Sequence, residues 1–188
     1  HDRKQWRYAS LRSSPSSSGE SNALSLGDRF AQFHKRLWLP LPLAHSAGIR
    51  SRMTSAEQFM ARQAGTLPDH LGIKVLEATA GRMVLAFDVS RAHLAPNGFL
   101  HAASIVALAD TACGYGTVLN LPEGASGFTT IELKSNFFAT ALSGRVVATA
   151  IPVHRGRTTQ VWDADVVSDE TGKRMALFRC TQSVLWPR

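Results

Sequence analysis

The chain has 188 residues, 44% apolar, 19% charged and 8% aromatic, a composition that excludes a collagen, a coiled coil and a wholly disordered chain. The net charge of +7 is concentrated in residues 1–52, where nine lysines and arginines stand against three acids, and the remainder is nearly neutral. A folded part without clustered cations is not built to grip a phosphate backbone, so no nucleic-acid partner is expected. Two cysteines cannot form a disulfide framework, and no His/Cys cluster has metal-ligand spacing. Cys113 and Cys180 therefore read as small core residues, and a cytoplasmic protein without structural metal or cofactor is expected.

Residues 1–52 are Ser-, Arg- and Pro-rich and are read as a poorly ordered or non-native extension, with residues 53–188 as one domain. Thr54 or Ser55 can cap a short amphipathic helix running to about Ala64, where Gly65 stops it. Two strand patterns follow, "GIKVLEA" and "RMVLAFDV", with Met83, Leu85, Phe87 and Val89 on one face; together they predict a hairpin. A polar loop from Ser90 to Gly98 ends in an Asn97-Gly98 turn, and His93 and His154 read as solvated loop or strand-end residues. The next run, "HAASIVALADTACGYGTVLN", is too long and Ala-rich for a strand, so it is predicted as a helix despite Gly114 and Gly116, buried all round.

Four β-rich segments come last, about 127–138, 144–154, 157–168 and 173–186, and are read as a meander. An α+β fold results, a curved antiparallel sheet of about six strands wrapped around one long helix. No membrane span is expected, because the apolar run contains Asp110, two glycines and several hydroxyls.

Asp110 is the one formally charged side chain in that run. Burying an unpaired carboxylate costs several kcal/mol or forces its protonation, so it needs either hydrogen-bond partners such as Thr111 or a use. His101 stands at the predicted helix start. Behind it the unpaired backbone amides of Ala102 and Ala103 are placed to receive a developing oxyanion.

"PNGFLHAASIVALADTACGYG", "GFTTIELKSNFFATA" and "GRTTQVWDADVVSDETGKRMALFRCTQ" together resemble the hotdog-fold acyl-CoA thioesterases of the PaaI type, over about residues 71–185. The resemblance implies a hotdog fold, a homodimer or dimer of dimers with active sites at the subunit seam, and hydrolysis of an acyl-CoA thioester. It also implies Asp110 as catalytic acid, the Ala102 amide as oxyanion donor, His101 as holder of the helix start, and Thr130 as a hydroxyl from the opposite subunit. Two departures stand out: the family's His-Gly-Gly is His101-Ala102-Ala103 here, and Ala95 occupies a usual Gln or Asn position, for which Asn97 is the candidate substitute.

Period two puts Thr130 on a face with Glu132 and Lys134, and Thr129 on a face with Ile131 and Leu133, so either threonine can be the one that faces the site. Gly98, Ala103, Thr129, Arg155 and Arg157 are the candidate substrate contacts, the two arginines as phosphate ligands at a hairpin tip. Phe99, Tyr115, Phe137 and Phe138 are candidates to line an acyl pocket. The competing functions are a hotdog hydratase or dehydratase and a non-catalytic acyl-CoA-binding module.

Overall fold

A computed structural model describes residues 54–187; the basic extension and its predicted boundary lie outside them. Helix α1 (Ser55–Gln63) starts where expected. Thr54 caps it, its hydroxyl accepting from the Glu57 amide while the Glu57 carboxylate accepts from the Thr54 amide. A single turn, α2 (Leu67–His70), leads into the hairpin β1 (Lys74–Ala78) and β2 (Met83–Asp88). The long helix is α3 (Ala102–Leu119), and the remaining strands are β3 (Gly127–Phe137), β4 (Arg145–Arg155), β5 (Thr159–Ser168) and β6 (Arg174–Leu185).

All pairings are antiparallel in one six-stranded sheet of order β1-β2-β4-β5-β6-β3. The last four strands are thus not a simple meander. After β3 the chain crosses the β5 and β6 positions, and β4 pairs with β2 while β3 takes the far edge beside β6. Alternating strands carry no record of their neighbours. The crossing loop passes under the start of α3, where the Leu100 amide donates to the Ala141 carbonyl.

Helix α3 packs against the concave face through Ile105, Leu108, Ala109, Ala112 and Cys113, all buried among Leu85, Val146, Trp162 and Phe178. Burial of each large aliphatic side chain of this kind is worth about 1.5–3 kcal/mol. Cys113 and Cys180 are buried free thiols, as their small apolar character implies. By length and composition α3 could also cross a membrane, and half of it is buried inside the molecule, where sheet packing uses its apolar surface. Gly116 has a packing reason: a Cβ there would lie 2.6 Å from the Trp162 ring, so glycine lets helix and sheet approach.

The helix is not enclosed all round, contrary to the sequence expectation. Ala103 is exposed, and Ala107, Asp110 and Thr111 are only half-buried, so one stripe of α3 lies open. These positions recur at spacings of three and four and share a face.

Candidate active site

The open stripe carries the one acid of α3. Asp110 is half-buried and its Oδ1 is shielded from solvent with no hydrogen-bond partner. Thr111 does not serve it, because the Thr111 hydroxyl donates to the Ala107 carbonyl one turn back. Burial raises the Asp110 pKa above the ordinary carboxylate value, and a hydrogen bond from the Thr130 hydroxyl partly offsets that rise by favouring the ionised form.

Thr130 reaches Asp110 because of a β-bulge. Strand β3 pairs Thr130 with Gln182 and Glu132 with Thr181, leaving Ile131 as the extra residue. Past the bulge the faces exchange. Gln182 and Cys180 are buried inward, so their cross-strand partners Thr130 and Leu133 share the concave face, while Thr129, Glu132 and Lys134 line the outer one. The strict period-two grouping of Thr130 with Glu132 therefore fails, and Thr129 lies on the face opposite to Thr130. The resemblance implied a threonine from the opposite subunit; within one chain, Thr130 on the edge strand β3 already lies beside Asp110.

Gln182 was not singled out from sequence. It is fully buried, its Nε2 donates to the Cys180 sulfur at 3.2 Å, and its Oε1 has no partner. Among the described residues, Asp110 Oδ1 and Gln182 Oε1 are the buried side-chain oxygens left unmet, and both belong to groups that adjoin Thr130. An amide at an inward position between Cys180 and Val184 was the available signal.

At the start of α3, His101 is the N-cap: its Nδ1 accepts from the Ala103 amide at 2.9 Å. That bond occupies one of the two donors expected to be free. The Ser104 amide is taken by the His101 carbonyl, so among the described residues the Ala102 amide is the donor of this turn left without an acceptor. Ala103 thus offers the open stripe a methyl group rather than an N–H. Asn97 does not point its acceptor at the site, because its Oδ1 accepts from the Phe99 amide across the turn in which Gly98 adopts φ +86°.

The other candidates are distributed. Arg155 donates to Asn120 Oδ1 at 2.9 Å, at the far end of α3, and the Arg157 guanidinium lies 4.9 Å from the Trp186 ring. Asp110 and Asn120 are ten residues apart, about 15 Å along the helix. Tyr115 is not a pocket residue; it stacks on Phe59 at 4.4 Å and donates to Gln63 Oε1, and burial pushes its phenol pKa up to about 12. Phe99, Phe137 and Phe138 are exposed.

One separation decides how the site can work. Ala102 and Asp110 are eight residues apart, about 12 Å of helical rise, so the two groups of one chain cannot meet on one carbonyl.

The family described as Thioesterase superfamily matches residues 97–175, a span that includes Ala102, Asp110 and Thr130. The 1,4-dihydroxy-2-naphthoyl-CoA hydrolase of Listeria monocytogenes is 32% identical over 118 residues, covering 63% of this chain and 94% of that protein. The chain belongs to the thioesterase superfamily. Two solved structures agree in fold and coverage. A mutant thioesterase from Pseudomonas aeruginosa superposes with a TM-score of 0.67 at 29% identity, covering 73% of this chain and 99% of the other. A mutant of the phenylacetic acid degradation protein PaaI from Thermus thermophilus gives 0.57 at 32% identity, covering 63% and 97%. The architecture is the hotdog fold, and thioester hydrolysis is the reaction class the family supports.

Proposed function

We propose that the protein hydrolyses an acyl-CoA thioester at a site shared by two copies of the chain, with Asp110 and Thr130 from one copy and the Ala102 amide from the other. The observation that carries this reading is Asp110 itself, a carboxylate with one unmet buried oxygen and a raised pKa on the open stripe of an otherwise apolar helix.

A second copy is called for twice. The first reason is the helical separation of Ala102 from Asp110. If two α3 helices lay antiparallel about a two-fold axis near Val106, Ala102 of each would come opposite Asp110 of the other, and Ala103 and Ala107 are small enough for close approach. The second reason is the edge of the sheet. Among the described residues strand β3 is long and unpaired on its outer side, and it exposes Leu133 and Phe137 from its concave face, an edge that single chains normally protect.

In the reaction, the Ala102 amide binds the thioester oxygen and polarises its carbonyl, stabilising the negative charge that develops there. Ionised Asp110 either removes a proton from a water that attacks the carbonyl carbon or attacks that carbon itself to form a mixed anhydride that water then cleaves. Either way a carbon–oxygen bond forms, the carbon–sulfur bond breaks and the CoA sulfur leaves as thiolate; its proton comes from the attacking water, through Asp110 in the first route and on cleavage of the anhydride in the second. The raised pKa suits a base better than an ordinary aspartate, because it lies nearer the working pH. His101, by occupying the Ala103 amide, leaves Ala102 as the single donor of the turn.

A panel of aromatic and straight-chain acyl-CoA esters, assayed for thiol release by wild type and by Asp110→Asn, tests the reading. Release by wild type with a loss of at least about 10²-fold in kcat for the variant is expected, the scale of general-base removal. Full activity of Asp110→Asn on every ester that wild type cleaves would overturn it.

A further inference from the structure

The loop that delivers the chain to α3 is anchored by a buried side chain that the sequence reading placed in solvent. His93 ends the short 3-10 turn Arg91–His93, is 3% exposed, and stacks on Phe87 of β2 with ring centroids 4.2 Å apart. Both ring nitrogens are engaged. Nε2 lies 2.8 Å from the Leu71 carbonyl and Nδ1 lies 2.9 Å from the Ser90 amide nitrogen. A carbonyl can only accept and an amide N–H can only donate, so the ring is fixed as the Nε2–H tautomer, donating to Leu71 and accepting from Ser90.

The main chain of the same residue holds the first turn of α3. The His93 carbonyl accepts from the His101 amide at 2.9 Å and from the Ser104 hydroxyl at 2.9 Å. These two donors bracket Ala102, whose amide is unpaired. The loop between is closed on itself by Ala95 amide to Phe99 carbonyl and by the bridge between Leu94 and Leu100, so it transmits the position of His93 instead of absorbing it. The imidazole thus ties the helix start to two other elements, the α2–β1 junction through Leu71 and the end of β2 through Ser90 and Phe87.

We infer that His93 is a positioning residue for hydrolysis: it never touches substrate, and it sets where the Ala102 amide points by clamping the loop from below while its carbonyl holds both sides of the helix N-terminus. The inference rests on the hydrolase reading for its kinetic consequence and on geometry alone for the clamp. An oxyanion donor acts only when held to a fraction of an ångström, which makes a buried anchor two steps away a determinant of rate and not of affinity.

Three variants separate the roles. His93→Phe keeps the stack on Phe87 and removes both ring bonds; His93→Asn restores an acceptor for Ser90; Ser104→Ala removes one donor from the His93 carbonyl with little change of volume. On the best acyl-CoA ester of the panel, His93→Phe should lower kcat by about 10- to 100-fold with KM within about twofold, the scale of a misplaced catalytic group. Ser104→Ala should show the same split to a smaller degree, and His93→Asn should recover part of kcat. Amide hydrogen exchange of wild type should show the His101 and Ser104 amides protected, and both should exchange at least about tenfold faster in Ser104→Ala and His93→Phe, a readout that needs no turnover.

The inference is overturned if kcat stays within twofold of wild type in both Ser104→Ala and a folded His93→Phe, if KM and kcat fall together without rescue by His93→Asn, or if exchange at His101 and Ser104 is unchanged. Asp110→Asn in the same assay keeps the two readings apart. Its full activity removes the hydrolase reading and leaves the clamp to be judged by exchange, whereas its inactivity beside an unaffected Ser104→Ala and His93→Phe removes the clamp and leaves the hydrolase.

Discussion

The two halves of α3 treat their polar groups in opposite ways. Toward its C-terminus the groups at the helix–sheet contact are met: the Thr117 hydroxyl donates to the Cys113 carbonyl, Asn120 Nδ2 donates to the Gly116 and Ala80 carbonyls, Gln160 Nε2 donates to the Asn120 carbonyl, and Trp162 Nε1 donates to Gln160 Oε1. Toward its N-terminus the Ala102 amide and Asp110 Oδ1 have no partner among the described residues on the open stripe. A core saturates its hydrogen bonds because an unmet buried group costs roughly 1–3 kcal/mol. The saturated half therefore anchors the helix, and in the proposed reaction the unsaturated half is the part that receives the substrate.

Substitutions in the two halves should consequently fail in different ways. The largest effect belongs to Ala102→Pro. Proline is tolerated at the first helical position, and His101 already has the extended backbone, φ −70° and ψ 134°, that a following proline requires. The substitution deletes one N–H and leaves the helix, so kcat should fall by about 10²–10³ with Tm little changed.

Asp110→Asn should inactivate comparably, yet stabilise. Because burial holds the folded pKa of Asp110 above its unfolded value, ionisation penalises the folded state, and the penalty grows as pH rises through the carboxylate range. The Tm of the variant should exceed that of wild type at pH 7, and the difference should vanish near pH 3, where the carboxyl is protonated in both states. For the wild type, kcat/KM should rise with pH through a midpoint above the usual aspartate value. Thr130→Ala, which removes the bond favouring the ionised form, should move that midpoint further up, and Thr129→Ala on the outer face should not.

In the anchoring half, Gly116→Ala should lower stability by about 1–3 kcal/mol through overpacking against Trp162 and leave the kcat of the folded fraction unchanged. The smallest effect is expected of Arg157→Ala, an exposed residue resting on Trp186, with a change in Tm equivalent to about 0.5 kcal/mol or less.

Elements whose signal is local were legible in the sequence. The Thr54 cap, the β1–β2 hairpin, the extent of α3 and all four later strands fall within a few residues of their expected positions. The place of β3 was not legible, because a seven-residue connection suits a hairpin as readily as a crossing, and strand neighbours are chosen by tertiary packing. At the site, Asp110 announced itself as a charge in an apolar run. The Thr129/Thr130 ambiguity depended on a bulge at Ile131, and one inserted residue reverses every face beyond it. His93 was misread because its partners are backbone groups 22 residues before it and three before it, together with Phe87, none of which leaves a side-chain pattern in the sequence.

The central claim, one carbonyl served by two chains, can be tested by mixing two inactive proteins. Asp110→Asn and Ala102→Pro chains, co-expressed or unfolded and refolded together, should form mixed dimers in which one of the two sites combines an intact Asp110 with an intact Ala102 amide. Thiol release from acyl-CoA should then return to about a quarter of the wild-type rate per chain at equal mixing, the statistical share for a two-fold dimer. A mixture that forms such dimers and stays as inactive as its parents would contradict the shared site.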